Sequence, residues 1–366
     1  MKKVAFYLPQ YHCFPENDQW WGKGFTEWSN VRKSKPQFKG HHQPEVPYNK
    51  NYYNLLNQSF QKEQADLALS YGINCFCYYH YWFDGKLLMQ KPVENMLQNK
   101  EIKMPFMFCW ANESWTRAWD GKTNSLLIKQ NANETDEMWE DHFNYLLPYF
   151  KDSRYEKISN KPVFIIYKPQ LINHCNDMMN LFDRLARKNG FDGIFWGWQH
   201  PSANNEYIKN MFDFGIAFEP AYTISEIEKK YEMEKKINKI KYGIRHVDWF
   251  YWEAKHILFN KPLIYIYDDV WKEIINRDND QRIYPGAFPA WDNTPRRGNN
   301  SQILYGANTE KFSIYFKKLM AKTRASYPYI FINAWNEWGE GAHLEPDELN
   351  GFGFLNAVKN SNGMEG

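Results

Sequence analysis

The sequence predicts an α/β fold, a single (β/α)₈ barrel with a long loop after its first strand and a helical insertion between strands six and seven. Short apolar runs rich in β-branched and aromatic residues recur eight times along the 366 residues. Segments with apolar residues three and four positions apart separate most of these runs, as in amphipathic helices. Strand–helix alternation of this kind favours a parallel barrel. The length and the 43% hydrophobic content suit one such domain over residues 1–366.

Eight segments fit the barrel strands, and one further segment competes for the seventh position. In chain order the eight are Val4–Leu8, Asn74–Tyr79, Pro105–Cys109, Val163–Tyr167, Gly193–Trp196, Gly215–Phe218, Gly286–Pro289 and Tyr329–Asn333. The run Leu263–Tyr267 is the rival for strand seven.

Helical periodicity is clear in four stretches between these strands. They are Ser59–Tyr71, Asp136–Phe150, Asp177–Asn189 and Thr309–Ala325.

Two parts depart from the alternation. Residues 13–54 form a long Gly-, Pro- and aromatic-rich loop after the first strand. Residues 223–284 form the insertion, with helices expected near Glu226–Lys241 and Val247–Leu258. The charges of the first of these helices indicate a solvated helix face.

The charge balance argues against two classes of partner. Lys and Arg number 45 against 43 Asp and Glu, a net charge of +2, which gives no reason to expect nucleic acid or an anionic membrane surface. No apolar run approaches a membrane span. The opening Met1-Lys2-Lys3 leads directly into a strand without the apolar length of a signal peptide, so a cytoplasmic protein is expected. The sequence does not indicate an oligomeric state.

The aromatic content is the most unusual part of the composition. It reaches 18%, with 16 Trp and 25 Tyr, and much of it lies beside polar residues, as in Trp110–Trp115. Trp and Tyr combine a flat apolar face with a polar group. A sugar ring presents apolar C–H faces edged with hydroxyls, so an oligo- or polysaccharide is the expected partner.

Barrel enzymes place their reactive groups at the carboxyl ends of the strands. Seven of the eight predicted strands end in aromatic, amide or charged residues, and burying so many polar groups without a ligand costs free energy. We therefore expect a substrate site there. The expected substrate-binding residues are Gln10, Tyr11, His80, Trp110, Asn112, Glu113, Trp115, Arg117, Trp198, Glu219, Trp291, Asp292, Arg296, Trp335, Asn336 and Trp338.

Glu337 and Glu340 are the expected catalytic pair. Cleavage of a glycosidic bond needs one group to protonate the leaving oxygen and another to supply or activate a nucleophile. Two neighbouring carboxyl groups can hold different protonation states. In the alternative, one of the two forms a structural ion pair with Arg117 or Arg296.

Other carboxylates compete for these roles. Glu113, Glu219 or Asp292 is an alternative second member of the pair. Glu27, in the first loop, either reaches over the mouth or, the favoured interpretation, braces the loop.

Motifs for other chemistries are weak, and we expect neither a metal nor a cofactor. The adjacent His41 and His42 diverge, and neither HExxH nor GxSxG is present. Gly22-Lys23-Gly24 lacks the third glycine of a dinucleotide fingerprint. Asp278-Asn279-Asp280 has the Asp-x-Asp form of a metal–diphosphate site, although a motif in this position is more often a helix-end loop.

Several motifs resemble those of WbsX-type proteins, which are similar to glycoside hydrolase family 99. They are AFYLPQYH (5–12), WWGKGFTEWSNV (20–31), HHQPEVP (41–47), FCWANESWTR (108–117), PAWDNTPRR (289–297) and NAWNEWGEGAHLEPD (333–347). The resemblance covers most of the chain. It implies a (β/α)₈ barrel and a role in bacterial O-antigen or capsule polysaccharide metabolism, where these proteins are often described as glycosyltransferases.

The resemblance also implies roles for the acidic pair. In family 99 endo-α-mannosidases, one Glu of a Glu-x-x-Glu motif helps the substrate's 2-hydroxyl attack the anomeric carbon, which gives a 1,2-anhydro sugar. The second acts as acid and then as base. By this resemblance Glu337 assists the 2-hydroxyl and Glu340 protonates the leaving oxygen.

Three functions stay open from the sequence. The first is a retaining glycoside hydrolase or transglycosylase acting on a bacterial polysaccharide, the second is a glycosyltransferase in O-antigen or capsule biosynthesis, and the third is a non-catalytic glycan-binding barrel. The presence of both Glu337 and Glu340 favours the first two.

Overall fold

Eight strand positions form the centre of the molecule. The structure, a computed structural model, describes residues 1–117, 125–200, 210–237, 261–278 and 280–362. The barrel strands are β1 (Lys2–Tyr7), β2 (Cys75–Phe83), β3 (Phe106–Trp110), β4 (Lys161–Ile166), β5 (Phe195–His200), β6 (Phe214–Ala217), β7 (Ile283–Tyr284 with Gly286–Ala287) and β8 (Tyr329–Ile332). All eight predicted strands are therefore present, with boundaries shifted by a few residues.

The strands pair in parallel in the order β6-β5-β4-β3-β2-β1-β8, and β7 joins the two edges of this run. Ile283–Tyr284 pairs with β6, whereas Gly286–Ala287 pairs with β8. Pro285 separates the two halves and has no N–H to donate to either neighbour. The result is a nearly closed barrel of nine parallel segments at eight positions, as predicted.

The strands are apolar along their whole length because both of their faces are covered. All nine residues of β2 are buried, as expected for a parallel sheet wrapped by helices. Two glycines make room for large rings: a Cβ on Gly197 would lie 2.4 Å from the ring of Phe214, and one on Gly215 would lie 2.6 Å from the ring of Trp198.

Helices surround the barrel, and some of them begin at polar caps. The side chains of Asn57, Thr135 and Asn308 accept hydrogen bonds from the first turns of three of them. The α-helices are Pro15–Trp21, Glu27–Lys33, Gln58–Ser70, Lys91–Gln98, Asp136–Lys151, Cys175–Lys188, Ala221–Ile237, Tyr267–Asn276, Thr294–Arg297, Thr309–Thr323 and Gly353–Lys359. The four helices predicted from periodicity are among them. None of the described helices is long and apolar enough to span a membrane.

Small antiparallel pairs extend the chain outside the barrel. Lys86–Leu88 folds back on the end of β2, and Lys157–Ile158 pairs with the start of β4. Trp115–Thr116 pairs with Leu126–Ile128 after β3.

The structure corrects one expectation about the connecting segments and decides between the two candidates for strand seven. The segment 13–54 is not a plain loop, because it contains the helices Pro15–Trp21 and Glu27–Lys33. The rival for strand seven, seen as Leu263–Ile266, lies outside the barrel and pairs in parallel with Gln302–Tyr305. The expected helix near 247–258 lies outside the described residues, as does the part of the 226–241 helix beyond 237.

Candidate active site

A tight reversal after β8 brings the two expected catalytic residues together. Asn336–Glu337 pairs antiparallel with Ala342–His343, and a single 3₁₀ turn, Trp338–Glu340, connects them. Gly341 ends that turn in the left-handed region at φ 59°, a conformation that suits glycine. Glu337 and Glu340 therefore lie at the two ends of one turn at the carboxyl end of the barrel.

One guanidinium binds both of these carboxylates and a third. Nη2 of Arg296 donates to Glu337 Oε2 at 2.8 Å, and Nη1 donates to Glu340 Oε1 at 2.7 Å. Nε donates to Glu27 Oε1 at 2.9 Å. The guanidinium is a rigid planar fork of donors, so the three carboxylates are held side by side around it. We call Glu27, Arg296, Glu337 and Glu340 the acidic cluster.

Burial makes the charges of this cluster expensive to maintain. The side chains of Glu27, Arg296 and Glu337 are 1%, 7% and 7% exposed, and that of Glu340 is 23% exposed. Three carboxylates share one cation, so full ionisation would leave an excess of negative charge in a poorly solvated site. Glu340 is the member most open to solvent.

The pKa values reflect this competition. Burial raises the pKa of Glu337 to about 8, an effect that Glu340 and Glu27 reinforce and Arg296 opposes. Burial likewise raises the pKa of Glu340. Burial alone would lower the pKa of Arg296, but its three carboxylate neighbours raise it, so the guanidinium stays charged. At neutral pH the cluster therefore holds at least one proton, which a reacting oxygen can receive.

Gly339 is required by the geometry of this cluster. A Cβ at this position would lie 2.1 Å from Glu27 Oε1 and 2.7 Å from Arg296 Nε. The pair Glu27–Arg296 thus occupies the space that any side chain at position 339 would need.

A cavity of about 710 Å³ opens beside the cluster. Arg296 and Glu27 line it, together with Gln10 from the segment after β1 and Trp115 from the segment after β3. Glu337 and Glu340 are not part of its wall and connect to it through Arg296 and Glu27. The volume is within the range of small-ligand sites and is large enough for sugar units.

Three of the expected substrate-binding residues line this cavity: Gln10, Trp115 and Arg296. Gln10 is only 3% exposed, and its Oε1 has no hydrogen-bond partner among the described residues. Arg117 lies next to the cavity, where its Nη2 donates to the carbonyl of Trp20 and its guanidinium lies 5.6 Å from the ring centre of Trp21. Arg117 thereby holds the segment that carries Trp21, another lining residue, and it does not bind the acidic pair.

Glu113 lies at the same end of the barrel, in an ion pair with Lys168. Asn112 fixes the backbone of Lys168 through both its amide oxygen and its amide nitrogen. Tyr167 lies between the two groups of acids: burial chiefly, and then Glu113, Glu340 and Glu337, raise its pKa. Glu113 is thus a neighbour of the cluster, and its contacts are to Lys168.

Four expected substrate-binding residues instead build the framework of the β8 turn. The hydroxyl of Tyr11 donates to the carbonyl of Asn336 at 2.6 Å, and the Asn336 side chain binds both backbone groups of Leu8. Trp335 and Trp338 were expected to contact substrate, but both are fully buried and neither lines the cavity. Their large rings are anchored in the core, and they position the turn instead.

Two more of the expected residues face the helical layer. His80 Nε2 lies 2.9 Å from His142 Nε2 on the helix Asp136–Lys151, and the ring of Trp110 packs 4.7 Å from that of His142. Burial lowers the pKa of His80 to about 3, so the pair is neutral. Side chains alternate between the two faces of a strand, and these two positions fall on the outer face.

Trp198 and Glu219 also lie off the cavity wall. Trp198 packs against Phe212. Glu219 is fully buried, accepts from the backbone and hydroxyl of Thr223, and pairs with Arg277 Nη1 at 2.9 Å. Its role in the described structure is to anchor the start of the helix Ala221–Ile237, so it is not the partner of Glu337 or Glu340.

Asp292 braces the loops around the cluster. It accepts from His41 Nε2 at 2.7 Å, from Gln43 Nε2 at 2.6 Å and from the Thr294 backbone, while its own N–H donates to the Glu340 carbonyl. Trp291, the preceding residue, is 9% exposed and does not line the cavity. Asp292 therefore acts on the site through the loops and the backbone that it holds.

One group among the described residues has the donor atoms of a metal site. Ligand atoms of Glu45, His343 and Asp347 all lie within 4.8 Å of one another. His343 Nε2 is already 3.2 Å from Asp347 Oδ2 and 3.5 Å from Glu45 Oε2. Although burial alone would lower it, the carboxylates raise the pKa of His343. This favours the protonated ring, which cannot bind a metal through that nitrogen.

The structure adds residues to the site that the sequence did not indicate, namely Glu27 as a member of the acidic cluster and four cations in the cavity wall. Glu27 was assigned to bracing the loop, yet it is the third carboxylate on Arg296. Lys23, Lys33, Lys35 and Arg297 line the cavity, and nothing in their spacing indicated it. The signal that could have indicated Glu27 is the Thr26-Glu27-Trp28 motif, which lies within one of the segments that resemble the family, WWGKGFTEWSNV (20–31).

Comparisons with known proteins agree with the fold and give the family. The family model described as glycosyltransferase WbsX matches residues 3–358. Two curated relatives, both called uncharacterized protein WxcX, from two strains of Xanthomonas campestris pv. campestris, are 34% identical over 97% of the chain. The match covers 49% of each relative, so the chain spans about half of their length.

Among solved structures, the GH99 endo-alpha-mannosidase from Bacteroides thetaiotaomicron is similar, with a TM-score of 0.56 and 13% identity, covering 98% of this chain and 96% of that one. A protein described as glycoside hydrolase-like has a TM-score of 0.57 and 14% identity, covering 98% and 93%. At this identity the two matches support the barrel fold.

Proposed function

The chain belongs to the glycosyltransferase WbsX family, and we propose that it is a carbohydrate-active enzyme, a retaining glycoside hydrolase or transglycosylase acting on a bacterial polysaccharide. One observation carries the proposal. Glu337 and Glu340 are bound to the same buried guanidinium, and that guanidinium lines a sugar-sized cavity.

The proposed first step uses both carboxyl groups. Glu340 gives its proton to the glycosidic oxygen, which leaves with the electron pair of the anomeric C–O bond. Glu337 accepts the proton of the 2-hydroxyl, whose oxygen attacks the anomeric carbon and forms a 1,2-anhydro sugar. This assignment follows the family 99 resemblance.

The second step restores both groups. Glu340, now a carboxylate, accepts a proton from water, and the water oxygen attacks the anomeric carbon. The bond from that carbon to the 2-oxygen breaks, and the oxygen takes back the proton held by Glu337. If the hydroxyl of a second sugar replaces water, the same step is a transglycosylation.

The electrostatics of the acidic cluster support these roles with one condition. The raised pKa of Glu340 keeps a proton available for donation. Glu337 must be ionised to accept a proton, whereas burial holds its pKa at about 8. Arg296 stabilises the ionised form, and we expect substrate binding to displace the proton of Glu337 to solvent.

The family description favours one second candidate, a glycosyltransferase. Such an enzyme would use the same cavity for an activated donor sugar. Product formation that requires a nucleotide sugar would favour this candidate over hydrolysis or transglycosylation.

The test is a screen of the wild-type protein against bacterial polysaccharides and aryl glycosides, with and without UDP-, GDP- and dTDP-sugars. On any substrate found, Glu337→Gln and Glu340→Gln should each lose about 10²–10⁴-fold in turnover, the usual contribution of acid–base groups. Glu348→Gln is the matched control, since it changes an exposed carboxylate nearby in the chain. Near wild-type turnover in either cluster variant, with its fold intact by circular dichroism, would remove that residue from the mechanism.

A further inference from the structure

The wall of the cavity beside the acidic cluster is strongly cationic. Lys23, Lys33, Lys35 and Arg297 line it in addition to Arg296. Among the described residues that line it, Glu27 is the only acidic one, and Arg296 already neutralises it at 2.9 Å. The whole chain has a net charge of only +2, from 45 basic and 43 acidic residues, so this local excess is not a consequence of composition.

These four cations have no acidic partners in the described structure. Elsewhere many lysines pair with carboxylates, for example Lys86 with Glu16 and Lys230 with Glu273. Lys23, Lys33, Lys35 and Arg297 form no ion pair with a described acidic residue, and all four are exposed. Like charges gathered at one concave surface repel one another, and the cavity focuses their field.

Helix ends explain only part of this arrangement. Lys33 lies in the last turn of the helix Glu27–Lys33, and Arg297 ends the four-residue helix Thr294–Arg297. Cations at such positions interact favourably with the helix dipole. Lys23 and Lys35 lie outside both helices and have no such reason to face the cavity.

Two further features connect the cationic wall to a sugar ligand near the acids. Arg297 is close enough to Glu340 to lower the pKa of that carboxyl, although burial outweighs this effect. Gln10 lines the same cavity almost fully buried, with an amide oxygen that lacks a donor among the described residues. A sugar hydroxyl is a suitable donor, and the rings of Trp21 and Trp115 supply apolar faces.

We propose that the substrate of this site is an anionic sugar, whose carboxylate or phosphate is held by Lys23, Lys33, Lys35 and Arg297. The inference rests on the proposed function, because it assigns the cavity to the same substrate. A uronic acid and a diphosphate-linked donor sugar carry the same recognition chemistry. Arg297 binds either group through two parallel hydrogen bonds, and the lysines act as point charges.

The experiment is a titration calorimetry series on the Glu340→Gln variant, which retains the cationic wall. The probes are oligogalacturonate, the neutral oligogalactoside obtained by reducing its carboxyl groups, and UDP-glucose. Each probe is titrated at 20 and 300 mM NaCl. The same probes are titrated into Glu340→Gln combined with Lys33→Gln and Lys35→Gln, with Arg297→Gln, or with Lys39→Gln. Lys39 is the matched control, an exposed lysine of the same segment that does not line the cavity.

The proposal predicts that at least one anionic probe binds. The neutral oligosaccharide should bind at least about tenfold more weakly, because it lacks the charge that the lysines and Arg297 contact. That binding should weaken at high salt and in the Lys33/Lys35 and Arg297 variants, but not in the Lys39 variant. Binding of oligogalacturonate identifies the carboxylate as the recognised group, and binding of UDP-glucose identifies the diphosphate. The proposal is overturned if the neutral probe binds as tightly as the anionic probes. It is also overturned if neither anionic probe binds, or if the cavity variants bind the anionic probes as tightly as the Lys39 control does.

Turnover separates this inference from the proposed function. A neutral glycan that is turned over in a Glu337- and Glu340-dependent manner overturns the anionic-sugar inference alone. An acidic glycan that binds through the cavity lysines, while none of the probes or polysaccharides is turned over by the wild-type protein, overturns the proposed function alone.

Discussion

Replacing Arg296 with methionine tests the organisation of the acidic cluster. The substitution keeps an unbranched side chain and removes the cation that binds Glu27, Glu337 and Glu340 at 2.7–2.9 Å. Two of these carboxylates are less than one tenth exposed. The variant therefore leaves three clustered carboxyl groups with no positive partner.

The expected cost at pH 7 is about 3–5 kcal/mol of unfolding free energy, the usual penalty for leaving a buried charge without its partner. The cost should shrink as pH falls towards 5, because the carboxyl groups then take up protons and no longer repel one another. Arg297→Met removes the same charge from the next, exposed position. We expect a change within about 0.5 kcal/mol there, as for most surface substitutions.

The assay is urea unfolding of the wild type and both variants at pH 5, 6, 7 and 8. The expected result is a lower urea midpoint for Arg296→Met at pH 7 and 8, which approaches the wild-type midpoint at pH 5. Equal midpoints for Arg296→Met and Arg297→Met at pH 7 would refute the reasoning. If Arg296→Met does not fold, Glu27→Gln provides the smaller perturbation, and its stability should then be near wild type, because two carboxylates remain on Arg296.

Three further predictions concern Gly339 and Glu337 in the acidic cluster and His80 beneath the helical layer. Gly339→Ala should cost about 1–3 kcal/mol of unfolding free energy by overpacking, because its Cβ would lie 2.1 Å from Glu27 Oε1. In a double-mutant cycle, Glu27→Ala should recover most of that loss, and additive effects of the two substitutions would contradict the steric account. The folded-state pKa of Glu337, about 8, exceeds its ordinary value of 4.5, so its contribution to stability is complete below pH 4.5 and is lost as pH rises through 8. Glu337→Gln should consequently flatten this decline and be more stable than wild type at pH 9, as measured by thermal unfolding; an unchanged pH profile would count against a buried protonated carboxyl. Burial lowers the pKa of His80 to about 3, so below pH 6.5 the unfolded chain binds a proton at this position and the folded chain does not. Stability therefore falls as pH drops from 6.5 to 4. His80→Gln should reduce this acid sensitivity, whereas substitution of the exposed His174 by Gln should not.

Much of the barrel could be predicted from the sequence, because buried parallel strands are continuous apolar runs that helical periods separate. The family resemblance drawn from the motifs is likewise confirmed by the match over residues 3–358. Strand seven was predicted correctly but was the least distinct of the eight in the sequence. Its two halves are only two residues each, with Pro285 between them, whereas Leu263–Ile266 is a better apolar run but pairs with Gln302–Tyr305. That partner is distant in the chain, and no local pattern indicates the pairing.

The charged part of the site was easier to predict than its aromatic part. Glu337, Glu340 and Arg296 were expected at the barrel mouth, and the structure brings them into contact. Trp110, Trp335 and Trp338 were expected to contact substrate, but they are buried in the framework. A Trp beside polar residues is compatible with either face of a strand end, and only the completed packing decides which one it takes. The cavity lysines come from the segment after β1, in the helix Glu27–Lys33 or beside it, and the approach of that segment to the mouth depends on tertiary structure.

The most direct test of the proposed mechanism compares two substrates that differ only in their leaving group. One is the glycan on which the enzyme acts, and the other is the dinitrophenyl glycoside of the same sugar, whose leaving group needs no protonation. If Glu340 is the acid, Glu340→Ala should lose about 10²–10⁴-fold in kcat/KM on the glycan and much less on the dinitrophenyl glycoside, while Glu337→Ala should lose activity on both. Equal losses for Glu340→Ala on the two substrates would contradict the assignment of Glu340 as the acid that protonates the leaving group.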